Sequence, residues 1–137
     1  RINSSFPRYD RAKNFTRAQQ LLSPLAEQGL AEAQYRLAVM HQNGLGTVKN
    51  CAVALKWMRA AANQGYALAQ HGLGFMYLQG ECTKLDAGEA AQWVRRAAEQ
   101  GLAGSQMTLG SLYEQGVGVA RDEDEARKWY KLAEDGS

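Results

Sequence analysis

The sequence predicts an all-α fold built from repeated helix pairs, and three observations lead to that expectation. Tryptophan recurs every 36 residues, at Trp57, Trp93 and Trp129, and such a period is typical of repeat arrays. Alanine is abundant while β-branched residues are few, which favours helix. Other sets of residues recur with the same period, and we call each such set a column: Leu37, Leu73 and Leu109; Gly44, Gly80 and Gly116; Ala54, Ala90 and Ala126; Asn50, Asp86 and Asp122.

A single leading helix is expected ahead of the first full copy, because the second half of the repeat pattern also occurs there. We expect this half-copy to stack on the full copies, since a helix pair alone leaves its apolar stripe in water. The residues that stand 36 positions before Asn50, Ala54 and Gly65 are Asn14, Ala18 and Gly29.

Each full copy is predicted to hold two antiparallel helices. In the middle copy the first helix covers residues 67–79, with apolar residues at helical spacing, and ends at Gly80. The second helix starts at Asp86, where Glu89 three residues later resembles a capping box. It ends at Gly101, because glycine can take the left-handed conformation that closes a helix.

Three kinds of repeated residue are interpreted as structural. The tryptophans are expected to be buried between helices, and Gln34, Gln70 and Gln106 are expected to hydrogen-bond to neighbouring backbone. Small residues let helix backbones approach where they cross. These small columns are Ala33, Ala69 and Ser105; Ala38, Gly74 and Gly110; Ala61, Ala97 and Ala133.

The columns resemble a known family. Ala69-Gln70, Leu73-Gly74, Tyr77, Gly80, Asp86, Ala90, Trp93, Ala97-Ala98 and Gly101 are similar to the Sel1-like repeat, a relative of the tetratricopeptide repeat. The resemblance covers about residues 10 to 136. It implies one domain over residues 1–137, a right-handed α-α superhelix of about three and a half repeats. The expected parts are a leading helix at 10–28 and repeats at 30–65, 66–101 and 102–136.

Several function classes have little support in the sequence. The net charge of +2 argues against a nucleic-acid surface, and no apolar run reaches the length of a membrane span. No nucleophile and base stand at a recognised spacing, and the glycine pairs join helices rather than forming phosphate loops. His41, Cys51, His71 and Cys82 match no zinc pattern. We therefore expect no catalytic residue, metal or cofactor.

The two cysteines leave two alternatives open. Cys82 replaces the loop glycine found at Gly46 and Gly118, and a positive φ there would cost a cysteine about 1 kcal/mol. Cys51 lies on the same edge of the stack, so the pair forms either a disulfide or two free thiols. A disulfide would favour a periplasmic or secreted location slightly over a cytoplasmic one. The start at Arg1 fits a removed signal peptide and a trimmed chain equally well.

Partner binding is expected at the positions that do not repeat. In tetratricopeptide-like stacks the first helices line the concave wall, so their variable residues should share one groove, although packing on neighbouring helices is the alternative. We call this set the variable stripe. It consists of Tyr35, Arg36, Val39 and Gln42; His71, Phe75 and Leu78; and Met107, Ser111 and Glu114.

The family resemblance implies a non-enzymatic adaptor that binds a protein or peptide partner, in bacteria often in envelope or secretion processes. An alternative is an immunity-type inhibitor that neutralises a secreted toxic enzyme. A more distant one is a hydrolase, the activity ascribed to cysteine-rich relatives. No polar capping repeat follows the last helix, so we expect either that more sequence exists or that something covers that end, such as a second copy of the protein.

Overall fold

The structure is a computed structural model that describes the backbone of residues 2–136 and the side chains of residues 14–136. Every regular element in residues 2–136 is an α-helix. The chain forms two compact units, Arg1–Ala61 and Ala62–Ser137, which are described separately. The leading helix begins at Ile2, earlier than the predicted residue 10. The helices are α1 Ile2–Glu27, α2 Ala31–Asn43, α3 Cys51–Asn63, α4 Ala67–Gln79, α5 Ala87–Glu99, α6 Ala103–Gln115 and α7 Glu123–Gly136.

Glycine ends the first helix of each repeat, as predicted. Gly80 has a φ of 68° in the left-handed region, and its N–H donates to the carbonyl of Met76. Gly44 and Gly116 close α2 and α6 in the same way, with φ of 69° and 70°. A left-handed residue at this place satisfies a carbonyl of the last helical turn. The chain can then turn back along the helix it has just left.

The second helices are capped by the predicted residues, but the capping box is only half formed. The carboxylate of Asp86 accepts a hydrogen bond from the backbone N–H of Glu89 at 3.1 Å. In a complete capping box the N–H of Asp86 would donate to the carboxylate of Glu89. Here it donates to the carbonyl of Tyr77 at 2.9 Å instead. The loop folds back on α4, so a carbonyl of α4 accepts the hydrogen bond from Asp86. The same backbone bond joins Asn50 to His41, and Asp122 to Tyr113.

Repeated tryptophans and small residues form the interior of each unit, as predicted. Trp93 and Trp129 are 6% exposed in the second unit, and Trp57 is 8% exposed in the first. Glycine allows close approach of helices: a Cβ added to Gly74 would lie 2.7 Å from the Cγ2 of Val94. One buried cluster joins α5, α6 and α7 through Ala91, Val94, Ala98, Leu109, Leu112 and Trp129.

The repeated glutamines each bond to the end of the helix before their own, which confirms the prediction. The Nε2 of Gln34 donates to the carbonyl of Ala26 at 3.1 Å in the first unit. In the second unit, Gln70 donates to Ala62 at 3.4 Å, and Gln106 donates to Ala98 at 3.2 Å. All three amides are buried, where an unpaired polar group is costly. The glutamine column therefore fixes how one helix pair joins the next.

The second glycine of the loop meets backbone at close range in both units. A Cβ added to Gly118 would lie 2.1 Å from the carbonyl oxygen of Ala87, and φ is +72°. In the first unit, a Cβ on Gly46 would lie 2.5 Å from the Cβ of Phe15. Phe15 and Ala87 occupy the same column, the one that holds Cys51 in the remaining copy. The loop thus packs on the start of an earlier helix.

The space around Gly118 predicts a large cost for a small substitution. We expect Gly118→Ala to lower the free energy of unfolding by about 2 to 4 kcal/mol, because a clash adds to the left-handed conformation. Gly101→Ala is the matched control, since φ is +95° there but no atom lies within 4 Å. It should cost about 1 kcal/mol. Urea unfolding of both variants checks this, and equal losses would contradict the close packing.

Candidate functional site

The first unit places four residues of the variable stripe along α2. Tyr35, Val39 and Gln42 are half-buried, and Arg36 is exposed. The guanidinium of Arg36 donates to the carboxylate of Glu32 at 2.7 Å, one helical turn away. An exposed pair of this kind contributes little to stability. Its effect is to hold a charged rim beside the apolar side chains of Tyr35 and Val39.

A cavity of about 270 Å³ opens between α1 and α2 beside these residues. Sequence analysis predicted the α2 wall of this cavity but not the α1 wall, which comes from the leading helix. The sequence feature that could have predicted the α1 wall is the row of large apolar residues in the leading helix. The cavity is lined by Phe15, Ala18 and Leu22 from α1, by Tyr35, Arg36, Val39 and Met40 from α2, and by Leu45.

In the second unit, the stripe on α4 is built around His71. Its ring lies 4.7 Å from the ring of Phe75, and its Nδ1 lies 2.6 Å from the Oγ of Ser105 on α6. Burial lowers the pKa of His71, since a charged imidazolium is poorly solvated there. A neutral imidazole bonded to a buried hydroxyl makes this part of the surface rigid and largely apolar.

The other stripe residues of the second unit divide between packing and exposure. Leu78 packs against the buried cluster of α5, α6 and α7, so part of its surface is structural. Met107 is 52% exposed. It lines a cavity of about 450 Å³ between α6 and α7, together with Ala103, Gly104, Tyr130, Ala133 and Glu134.

Glu114 is tied to the helix that follows. Its Oε1 accepts a hydrogen bond from the hydroxyl of Tyr130 at 2.7 Å. This bond to Glu114 raises the pKa of Tyr130, because the phenol donates to a negative charge and would repel it once ionised. Sequence analysis gave no sign of this pair. It fixes one wall of the α6–α7 cavity.

The outer face of α7 is more polar than the matching face of α5. Arg127 and Glu134 are exposed, and they stand 36 residues after Ala91 and Ala98, which are buried. The outer face of α7 therefore carries charge at positions where α5 buries alanine.

His71 and Ser105 have the geometry of a base and a nucleophile, but Ser105 is 0% exposed, so no substrate can reach its hydroxyl. No three His, Cys, Asp or Glu side chains of the described residues form a group that could hold a metal ion. None of the described helices combines the length and apolar character of a membrane span.

Both cysteines are disulfide-bonded, and no described cysteine is a free thiol. Cys82 has a φ of 65°, the only positive φ of a described residue other than glycine. The glycines of the same column, Gly46 and Gly118, have φ of 72°. Cys82 therefore has the left-handed conformation whose cost the sequence analysis considered for this column. The fold thus keeps the loop shape of the other copies despite the added side chain.

The repeat geometry agrees with a known family. The chain matches the Sel1 repeat at residues 9–30, 31–66, 67–102 and 103–136. The chain belongs to the Sel1 repeat family. The resemblance proposed from the sequence is confirmed, and so is the all-α repeat-superhelix fold class. No curated protein matches this Sel1 repeat chain.

Three solved structures are similar to this Sel1 repeat chain. A Sel1 repeat protein from Oxalobacter formigenes shares 38% identity, with TM-score 0.79 over 85% of this chain and 87% of that chain. A protective antigen with an SLR fold, from uropathogenic Escherichia coli strains, shares 38% identity with TM-score 0.83 over 85% of this chain. The match spans 25% of that antigen. Cysteine rich protein B of Helicobacter pylori has TM-score 0.72 at 21% identity, covering 92% and 90% of the two chains, and shows the fold alone.

Sel1 repeat proteins are generally protein–protein interaction scaffolds, and the fold is typically non-enzymatic. The accessible residues of this chain agree with that class, because apolar side chains are presented beside polar ones on rigid helices.

The lowered pKa of His71 predicts how stability depends on pH. An unfolded chain takes up a proton at His71 near its ordinary pKa of 6.5, while the folded chain resists protonation. Stability is therefore full above that pH and falls as pH drops below it. We expect the loss in urea midpoint between about pH 7.5 and about pH 5.5 to be smaller in His71→Gln, whose amide can still bond to Ser105. An identical loss in both proteins would contradict this.

Proposed function

We propose that this Sel1 repeat chain is an adaptor that binds a protein or peptide partner through the variable stripe. The observation that carries the proposal is that none of the ten stripe residues is buried. The repeated columns of the same helices, such as Leu73 and Leu109, are fully buried. Positions that vary between copies and stay accessible are not needed for packing between repeats, so their residues can serve partner binding.

Each unit offers its own type of contact. The first presents Tyr35 and Val39 at the mouth of an apolar cavity, with Arg36 at the rim. The second presents the paired rings of His71 and Phe75, and the exposed thioether of Met107. Aromatic and methionine side chains with an arginine nearby are common anchors in protein interfaces. Such anchors suit an amphipathic helix or an extended peptide.

We propose that this protein acts in the bacterial envelope or in secretion. This proposal is supported by the bacterial origin of the two similar structures that share 38% identity, one of which is described as a protective antigen. The immunity-type inhibitor and the hydrolase have no observation of their own in their favour. Self-association at the C-terminal end is a further alternative, and the exposed Arg127 and Glu134 make the outer face of α7 polar.

Substitution of Met107 tests the proposed site. We expect Met107→Glu, which changes a half-exposed side chain without touching the core, to weaken capture of the partner from bacterial extract by about tenfold. Leu85→Glu is the matched control, because Leu85 is 66% exposed and lies outside the stripe. Quantitative mass spectrometry of the captured proteins measures both. If the two variants capture every protein equally, the stripe of the second unit is not the site.

We also propose that Cys51 and Cys82 are bonded to each other. Support comes from the neighbouring copies, in which the residues of the same two columns lie together. Gly118 approaches Ala87, and Gly46 approaches Phe15, with no room for a further side chain. Cys51 and Cys82 stand at these two positions in the remaining copy, so a disulfide would take the place of the close contact seen in the other copies. Such bonds persist in oxidising compartments, which supports a periplasmic or secreted location.

Two double variants test the bond and the loop conformation together. Cys51→Ala/Cys82→Ser should be about 3 kcal/mol less stable than the oxidised chain, because it opens a loop of about 30 residues. Cys51→Ala/Cys82→Gly recreates the pair found at Ala87 and Gly118, and should recover about 1 kcal/mol by removing a left-handed side chain. Urea unfolding measures both. No loss in either variant would argue against the bond.

A further inference from the structure

We propose that the bond between Cys51 and Cys82 is a redox-sensitive latch, which holds loop 80–86 closed until a dithiol reductant cuts it. This proposal rests on the disulfide proposed above. Both cysteines are disulfide-bonded, and they are the two cysteines of the chain. The latch adds a change in the loop itself, since a disulfide that only contributed stability would leave the loop in place when it is reduced.

Backbone hydrogen bonds define the closed state of loop 80–86. The N–H of Glu81 donates to the carbonyl of Met76, and the N–H of Asp86 donates to the carbonyl of Tyr77, both at 2.9 Å. Asp86 also caps α5 by accepting a hydrogen bond from the N–H of Glu89. The closed loop therefore ties the end of α4 to the start of α5.

The corresponding contacts in the other copies leave no space for a side chain at the position of Cys82. In the second unit, a Cβ added to Gly118 would lie 2.1 Å from the carbonyl oxygen of Ala87. In the first unit, a Cβ added to Gly46 would lie 2.6 Å from the carbonyl carbon of Phe15. Atoms at such distances repel each other strongly. The closed loop of this repeat thus depends on glycine when no bond is present.

Loop 80–86 is closed although it carries the side chain that the other copies exclude. Cys82 has a φ of 65°, close to the 72° of Gly46 and Gly118, so the local backbone has kept its shape. A left-handed conformation is unfavourable for a residue with a side chain. The bond to Cys51 offsets both costs, because it puts a covalent link in the place of a repulsive contact.

Reduction removes the bond and leaves both costs. Two sulfurs in a disulfide lie closer together than two thiols in van der Waals contact, so the reduced pair needs more space. The other copies have no room for one Cβ at this contact, and two thiols are larger still. Loop 80–86 therefore moves outward, and the hydrogen bonds from Glu81 and Asp86 to α4 open more often.

The chemistry of opening is thiol–disulfide exchange with a dithiol. Cys51 and Cys82 are both half-buried, so solvent reaches the bond. A thiolate of the dithiol attacks the sulfur of Cys82, forms a mixed disulfide and displaces Cys51 as a thiolate, which then takes a proton from water. Cys51 is the first residue of α3, where the positive end of the helix stabilises a thiolate. The second thiol of the dithiol attacks the mixed disulfide, releases Cys82 as a thiol and leaves the reductant as a disulfide.

The latch bears on partner binding because loop 80–86 directly follows α4. That helix carries His71, Phe75 and Leu78 of the variable stripe, and Leu78 lies two residues before Gly80. An open loop releases the last turn of α4 from its cap, so the stripe of the second unit is fully ordered in the oxidised chain. Oxidising conditions keep this surface intact, and reducing conditions loosen its end.

Amide hydrogen exchange measured by NMR on the full chain tests the latch, with dithiothreitol as the reductant. The matched control is internal: the N–H groups of Val117 and Asp122 make the same two bonds in the cysteine-free loop of the same unit. We expect reduction to speed exchange at Glu81 and Asp86 by about tenfold or more, and to leave the control amides unchanged. Air oxidation should restore slow exchange.

Two variants separate the bond from the space that it needs. Cys51→Ala/Cys82→Gly has the residue pair of Ala87 and Gly118, so its loop should stay closed with or without dithiothreitol. Cys51→Ala/Cys82→Ser keeps a side chain at the glycine position without a bond. Both amides of its loop should therefore exchange fast under either condition.

Titration of free thiols distinguishes the latch from the bond on which it rests. Two free thiols in the air-oxidised chain would overturn the bond and the latch together. A bond whose reduction leaves exchange at Glu81 and Asp86 unchanged would overturn the latch alone. Equally faster exchange at Val117 and Asp122 would also overturn it, because the bond would then support the whole unit rather than one loop.

Discussion

The close approach of neighbouring helix backbones is the constraint on which the rest of each unit depends. It is made by small residues, as at Gly74, where no side chain could fit beside Val94. Dispersion forces act only over short distances, so helices that approach this closely exclude water along their length. The buried glutamines then find a backbone carbonyl within reach. Wider spacing would leave those amides unpaired, at a cost larger than the bond itself contributes.

The tryptophans depend on the same spacing. Small residues leave room at the crossing points, and one indole per repeat occupies the larger volume beside them. Trp93 is 6% exposed, and the guanidinium carbon of Arg96 lies 4.5 Å from its ring centroid. A cation over the face of an indole is favourable while the rest of the ring is packed. Arg96 of the same helix therefore covers one face of the ring.

Function, as we propose it, uses the positions that this packing leaves over. A solenoid repeats its structural columns and varies the rest, so binding residues are found by subtraction. That subtraction identified Tyr35 and Met107 as accessible side chains. It did not separate Leu78, which is partly engaged in the core, from its exposed neighbours. The exposure of Leu21 and Leu25 on α1 was missed, because the residues of the same columns are buried in the full copies.

The sequence by itself determined the period, the helices, the turn glycines and the helix caps. These features are local, since helix spacing, left-handed glycine and a carboxylate at an N-terminus act within a few residues. It also predicted that the glutamines bond to neighbouring backbone, because every copy repeats the residue, while the structure identified the carbonyls. Tertiary structure decided the rest. The N–H of Asp86 bonds to Tyr77 and not to Glu89 because the loop folds back on α4. The cavity beside Tyr35 lies between side chains of α1 and α2, and no single segment of sequence records the space between two helices.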